Sequence, residues 1–403
     1  MKGVYLYVTP FFPRPRRHFG AYGYDFVSAL RRTGAFDRVE VFASGSGRDY
    51  EFAGMTVHTF RRRMPPSGIL PWLYERHNVR SFLERLADSG ISPAEVTVCH
   101  GNTAQFAVYP LAVKRLNPKC KTLLHHHDLA SVGLRMGLLR HLWPHKVVNY
   151  LKYRREFEQI DCHLYISSLC QRNFEAFPDT AGSPYDDYRR LGRGMGAFRP
   201  VRVKDSYVLW NGVDRRLFSP SAGERRNGGF TIGCIANFIE VKDHLGLVKA
   251  VHSLMGKIPG LRLELLGTNG LGHYREDVEA YVKEHHLEAV VSILPHCRHA
   301  ELPAAYRRWD VFVMPSYFEG LGCVFLESWC CGTPFIGCAQ TGIEDVLPVE
   351  DRQRWLAKPR DPADLAAKIL DYYNHRYEQR LVSMVDIDEL MRKFLRKLED
   401  VRV

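Results

Sequence analysis

Residues 311–342 read VFVMPSYFEGLGCVFLESWCCGTPFIGCAQTG. The opening apolar run is of strand length and stops at Pro315, whose nitrogen has no hydrogen to give a ladder. A loop with Glu319, Gly320, Leu321 and Gly322 follows, then apolar residues at helical spacing from about 324 to 331, then a second apolar run at 334–337. Strand, tight loop, helix, strand is the βαβ unit of a parallel sheet. Gly320 and Gly322 leave backbone N–H groups bare where the helix begins, and the partial positive charge there suits an anion. Glu319 and Glu327 are eight residues apart, a span on the order of 10 Å at helical rise. A carboxylate at each end of an anion-binding turn fits a ligand with hydroxyls on both sides of a phosphate.

The same alternation extends outward along the chain. Upstream, strands are expected at 231–235, 262–266 and 290–294, with helices at 243–255, 274–285 and 300–307. The first half repeats the scheme, with strands at 4–8, 39–42, 96–100, 122–126 and 162–166 and helices at 25–32, 74–87 and 103–116. Residues 177–203 break the rhythm with crowded Gly, Pro, Asp and Arg, which marks a long loop before the domain junction. The expected fold class is α/β: two Rossmann-like, doubly wound domains at 1–205 and 206–380, with a C-terminal helix at 381–403 crossing back to the first. Ligands of open α/β sheets sit beyond the carboxyl ends of the strands, so two facing domains would enclose a cleft.

Composition narrows the function classes. The 403 residues are 45% hydrophobic and 12% aromatic, which excludes a largely disordered chain. No apolar run approaches the roughly 20 residues of a membrane span. The start, MKGVYLYVTPFF, has no small-residue cleavage site, so a cytoplasmic protein is expected. Ten cysteines without a CxxC pair read as reduced thiols and not as a zinc site. Charge is uneven: residues 1–205 hold 31 basic and 18 acidic side chains, net +13, within a total of +11. An anionic partner of the first half follows. Residues 61–80 and 134–157 mix aromatic with basic side chains, which suits either peripheral contact with anionic headgroups or helices packed on their own domain.

PSYFEGLGCVFLE, with CCGTPFIG after it and HAELPAAYRRWDVFVMPS before it, resembles glycosyltransferase family 4, retaining nucleotide-sugar enzymes of the GT-B fold. The likeness is strong over about residues 206–375 and loose before them. It implies that Glu327 hydrogen-bonds the donor ribose, that Glu319 contacts the transferred sugar, and that Gly320, Leu321 and Gly322 lie against the donor. In FTIGCIANFIEVKDHLGLVKAV, Lys242 matches the lysine that grips the diphosphate, while Asn237 stands where an arginine is usual. Gly267 of LLGTNG falls where such enzymes approach the base. Gly20 of TPFFPRPRRHFGAYGYDF is an imperfect match to the paired glycines near the diphosphate. The His127-Asp128 pair, which ends the run HHHD at a strand's carboxyl end, resembles the His-Asp pair of the family there, and that likeness implies that His127 faces the reacting sugar. Consecutive strand residues point to opposite faces, so the three histidines make a poor chelate and no metal is expected.

The implied activity is hexosyl transfer from a nucleotide diphosphate sugar, UDP or GDP, to a glycan or lipid-linked acceptor, with no cofactor. Glu319, Lys242 and His127 are the candidate catalytic residues. Polysaccharide biosynthesis, cytoplasmic and at the inner face of a membrane, is the associated setting. Two other readings stay open. One is an inactive nucleotide-sugar-binding or scaffold protein, suggested by Asn237. The other is a basic nucleic-acid-binding protein, although no helix-turn-helix, RNP-like or zinc pattern supports a nucleic-acid partner.

Overall fold

The computed structural model describes residues 2–14, 21–64, 71–127, 152–175, 201–221, 229–270, 272–383 and 385–403. They form two compact units, the first Met1–Asn211 with Ile387–Val403 and the second Gly212–Asp386. Gly20, Asp128 and most of the loop at 177–203 lie outside the described residues.

In unit 1 the strands are β1 (Val4–Thr9), β2 (Arg38–Ser44), β3 (Tyr50–Phe52), β4 (Met55–Phe60), β5 (Val96–Gly101), β6 (Lys121–His126), β7 (Cys162–Tyr165) and β8 (Ser206–Val208). Its helices are α1 (Ala21–Arg32), α2 (Glu75–Asp88), α3 (Val108–Leu116) and α4 (Ser168–Glu175). The sheet order is β3-β4-β2-β1-β5-β6-β7-β8, and among the described residues only the β3–β4 pair is antiparallel. All six residues of β1 are buried because both faces of the sheet are covered. Tyr5 and Tyr7 point into one core with Phe26, Val27 and Leu30 of α1, while Val4, Leu6 and Val8 point into the other with Phe82, Leu86 and Tyr109.

Unit 2 holds β9 (Thr231–Ile235), β10 (Arg262–Leu266), β11 (Val291–Leu294), β12 (Val311–Val313), β13 (Phe335–Cys338) and β14 (Leu356–Ala357). These form one parallel sheet in the order β11-β10-β9-β12-β13-β14. Its helices are α5 (His244–Leu254), α6 (Tyr274–Glu284), α7 (Leu302–Arg307), α8 (Cys323–Cys330), α9 (Arg352–Trp355) and α10 (Pro362–His375). Gly233 in β9 is obligatory: a Cβ there would sit 1.9 Å from the Trp309 ring.

The last helix, α11 (Ile387–Asp400), belongs to unit 1. Its buried Ile387, Met391, Phe394 and Leu398 recur at three- and four-residue steps and join the core under α1. Lys121 donates to the carbonyls of Leu398 and Glu399, at 2.7 and 3.1 Å, where the helix end leaves acceptors over.

Several features depart from the expected elements. The β3–β4 hairpin turns on Ala53 and Gly54, both at positive φ (48° and 75°). Ala occupies a position where Asn or Asp would signal the turn, which hid the hairpin. The three-residue β8 and two-residue β14 are too short for periodicity to register. Residues 103–116, expected as one helix, are a 3-10 turn at Ala104–Phe106 followed by α3. Among the described residues, no helix is long and apolar enough to cross a membrane.

Candidate functional site

The site in unit 2 is assembled from the loops that leave the carboxyl ends of β9, β10 and β12. After β9 the chain passes through a 3-10 turn at Glu240–Lys242 to Asp243, whose left-handed backbone (φ 52°) and carboxylate, accepting from the Gly246 N–H at 3.1 Å, start α5. This loop lies on the one after β10. Phe238 N donates to the Thr268 carbonyl at 2.9 Å, and a Cβ on Gly267 would sit 1.9 Å from the Ala236 carbonyl oxygen. Gly267 is therefore a backbone contact, and only glycine permits it. Asn237, also exposed at this corner, accepts from the Thr268 hydroxyl at 2.7 Å.

The loop after β12 is pinned to the same turn. Tyr317 N and the Ser316 hydroxyl both donate to the Val241 carbonyl, at 3.1 and 3.0 Å, and Gly342 N donates to the Glu319 carbonyl at 3.1 Å. These bonds bring together two side chains far apart in sequence: the Lys242 ammonium forms an ion pair with the Glu319 carboxylate, the side chains 20% and 16% exposed. Gly320 and Leu321 are buried, so Leu321 can present only its backbone outward. Gly322 is the N-cap of α8 at φ 77° and has no side chain to cap the first turn. The first amides of α8 thus keep their positive potential for an anion.

Glu327 lies just over a turn into α8 and is 9% exposed. The fully buried Tyr306 hydroxyl donates to its Oε2 at 2.8 Å, and His299 Nε2 stands 3.8 Å from its Oε1. Burial first, and the Glu327 charge second, push the Tyr306 hydroxyl far above its ordinary pKa, so it remains a donor throughout the working range. Tyr306 escaped the sequence reading because an aromatic at helical spacing reads as core, which most of its ring is. Arg360 was missed as well: its guanidinium lies 4.1 Å from the Tyr317 ring centroid, a cation–π contact between chain segments that no local pattern announces.

In unit 1, His127 follows β6 and pairs through Nε2 with Asn102 Oδ1. Asn102 in turn donates to the Thr9 hydroxyl at 3.1 Å, so the carboxyl ends of β1, β5 and β6 are joined at this point. The His127 ring lies 4.5 Å from Tyr22 and 4.0 Å from His125. His125 and His126 diverge across the sheet, the first stacking on His100 and the second bonding His163 at 3.0 Å. Burial pushes His125 down to about 3 and His163 to about 4, so both are neutral. Among the described residues, no group of three His, Cys, Asp or Glu side chains is placed to hold a metal ion.

The structure thus gathers Asn237, Lys242, Gly267, Glu319, Gly320, Leu321, Gly322 and Glu327 at one edge of the unit 2 sheet, and places His127 at the corresponding edge of the unit 1 sheet.

Residues 218–383 match the family model of glycosyl transferases group 1, so the match lies within unit 2. The sulfoquinovosyl transferase SQD2 of Arabidopsis thaliana is 32% identical over 192 residues, covering 45% of this chain and 36% of that protein. The chain therefore spans about a third of the length of that curated relative. Among solved structures, the sucrose-phosphate synthase of Thermosynechococcus elongatus superposes with a TM-score of 0.70 at 17% identity, over 99% of this chain and 100% of that one. Anabaena HepE in complex with UDP and glucose gives 0.68 at 15% identity, with 99% and 100% coverage. The fold is GT-B, with two parallel-sheet α/β units.

Proposed function

We propose that the chain is a glycosyltransferase that takes a hexose from a nucleotide diphosphate sugar. The observation that carries this reading is the Lys242–Glu319 ion pair at the mouth of α8, with Glu327 held farther into the same helix. Lys242 and the α8 amides supply fixed positive charge where a diphosphate departs, and such charge lowers the barrier most when it needs no reorganisation. Diphosphate leaves readily, so the site needs no carboxylic acid to protonate it. Glu319 contacts the transferred sugar and Glu327 the ribose, while Asn237 and Gly267 shape the approach to the nucleotide. Of unit 1, His127 is the group we assign to the transferred sugar, and Gly20 to the diphosphate. Transfer with retention, by attack on the face the diphosphate leaves, belongs to the same proposal.

UDP or GDP is the expected carrier, a choice supported by the UDP bound in HepE. Unit 1, with its surplus of basic residues, receives a glycan or lipid-linked acceptor, in a cytoplasmic protein with peripheral contact to an anionic membrane. No metal or other cofactor takes part in this scheme. Calorimetric titration with UDP-, GDP- and ADP-sugars tests the donor, with one tight binder expected. Binding of none of the three defeats the proposal.

One observation favours a second reading, a donor-binding protein without turnover. Asn237 gives an amide where a guanidinium would pair the diphosphate through two bonds, and that amide is engaged by Thr268. Donor turnover that Glu319→Gln abolishes in a folded protein decides for the enzyme.

A further inference from the structure

In unit 1, a glycine-rich turn with unspent backbone amides stands beside arginine side chains. The turn after β2 reads Ser44-Gly45-Ser46-Gly47-Arg48, and Gly47 has a left-handed backbone at φ 85°. Gly45 N is spent on the Phe60 carbonyl at 2.9 Å, which anchors the turn to β4. Among the described residues, the next three amides, of Ser46, Gly47 and Arg48, have no acceptor. Successive backbone N–H groups turned by a left-handed residue form a concave nest that suits an anion.

Two arginines flank this turn. The place a Cβ would take on Gly45 is 3.4 Å from Arg14 Nη2, and that on Gly47 is 3.5 Å from the Arg61 side chain, whose Nε donates to the Ser46 carbonyl at 3.1 Å. Arg14 also lies over the Tyr50 ring, at 5.0 Å. Arg62, next in sequence, lies over Phe106 at 5.0 Å and donates to Gln105 Oε1 at 3.2 Å. Rings, a carbonyl and an amide thus orient these three guanidinium groups. None of the three has a carboxylate partner among the described residues. Asp49, beside Arg48, is already committed to His58 and Arg85. Buried Asn78 clasps the Arg63 backbone in both directions, at 2.7 and 3.0 Å, which fixes the segment carrying Arg61 and Arg62. Arg14 and Arg61 bring two like charges to this turn without a counter-charge among the described residues, and a bound anion relieves that cost.

We propose that the Gly45–Arg48 turn with Arg14 and Arg61 binds a phosphate monoester or diester group. The turn supplies amides, and the arginines supply charge-assisted bonds to phosphate oxygens. A phosphorylated small molecule and a phospholipid headgroup share this chemistry. The site lies in unit 1 and needs no sugar nucleotide, so its failure leaves the donor reading untouched.

The test is calorimetric titration of the full chain with inorganic phosphate, in the wild type, in R14Q, in the double variant R14Q/R61Q and in R80Q, whose arginine pairs with Glu84 on the outer face of α2. Phosphate is expected to bind the wild type and R80Q alike, with R14Q weakened about tenfold and the double variant more, since each lost bond is charge-assisted. R14Q alone decides the matter if the double variant melts early. Flotation with phosphatidylglycerol vesicles identifies the source. Flotation lost in R14Q assigns a lipid headgroup, and no flotation of either protein assigns a free phosphoester. Equal phosphate binding by wild type and folded R14Q, or none by the wild type, overturns the proposal.

Discussion

Replacing Tyr306 by Phe removes one hydroxyl and leaves a ring of nearly the same shape. That hydroxyl is fully buried and donates to Glu327 Oε2 at 2.8 Å. A hydrogen bond to a charged group contributes about 1.5–3 kcal/mol, and here its loss leaves a carboxylate oxygen shielded from water. His299 Nε2, 3.8 Å from the other oxygen, is too distant to take over without moving. For a unit of this size each kcal/mol lowers Tm by about 2–4 °C, so Y306F should melt about 3–12 °C below the wild type. On the proposed donor contact, the same change frees Glu327 to rotate away from the ribose. Donor KM should then rise about tenfold with kcat unchanged, because the ribose contact is made equally in the ground and transition states. Differential scanning calorimetry and steady-state kinetics on one preparation read both effects. An unchanged Tm would refute the hydrogen bond. A lowered Tm with unchanged KM would refute Glu327 as the ribose contact, leaving Tyr306 a purely structural support.

Further outcomes follow from other contacts. Gly267→Ala forces a methyl against the Ala236 carbonyl oxygen, 1.9 Å from where the Cβ must lie, so the two loops have to part. It should destabilise unit 2 by about 2–4 kcal/mol in urea unfolding and weaken donor binding. Lys242→Met strands the Glu319 carboxylate; if Lys242 holds the departing diphosphate as proposed, kcat should fall by about 100-fold or more, and Lys242→Arg should restore part of it. Stability should also fall in mild acid. Burial pushes His125 to about 3 and His163 to about 4, below their ordinary value near 6.5, so the unfolded chain takes up protons first. The stability these neutral histidines contribute is complete above about pH 6.5, and is lost at about 1.4 kcal/mol per pH unit for each as the pH drops toward the folded values. Urea midpoints at pH 7, 6 and 5 measure the slope, and His125→Phe should make it shallower.

Much of this protein is legible residue by residue. Apolar runs of strand length, helices of 3.6-residue period and the punctuation of Gly and Pro depend on neighbours in the chain, and they place β1, β5, β6, β9, β10 and β12 with the loops at their carboxyl ends. The spacing of Glu319 and Glu327 across the start of a helix is local in the same sense. Contacts between segments are not. Lys242 meets Glu319 because both loops bond at the Val241 carbonyl, and Tyr306 aims its hydroxyl at Glu327 because α7 packs beside α8. The nest at Gly45–Arg48 becomes flanked by arginine only when β1, β2 and β4 lie side by side. Periodicity records which face of an element is buried. The partner that a polar group finds is settled by packing, because its few kcal/mol depend on distances of about 3 Å between atoms that the chain itself leaves far apart.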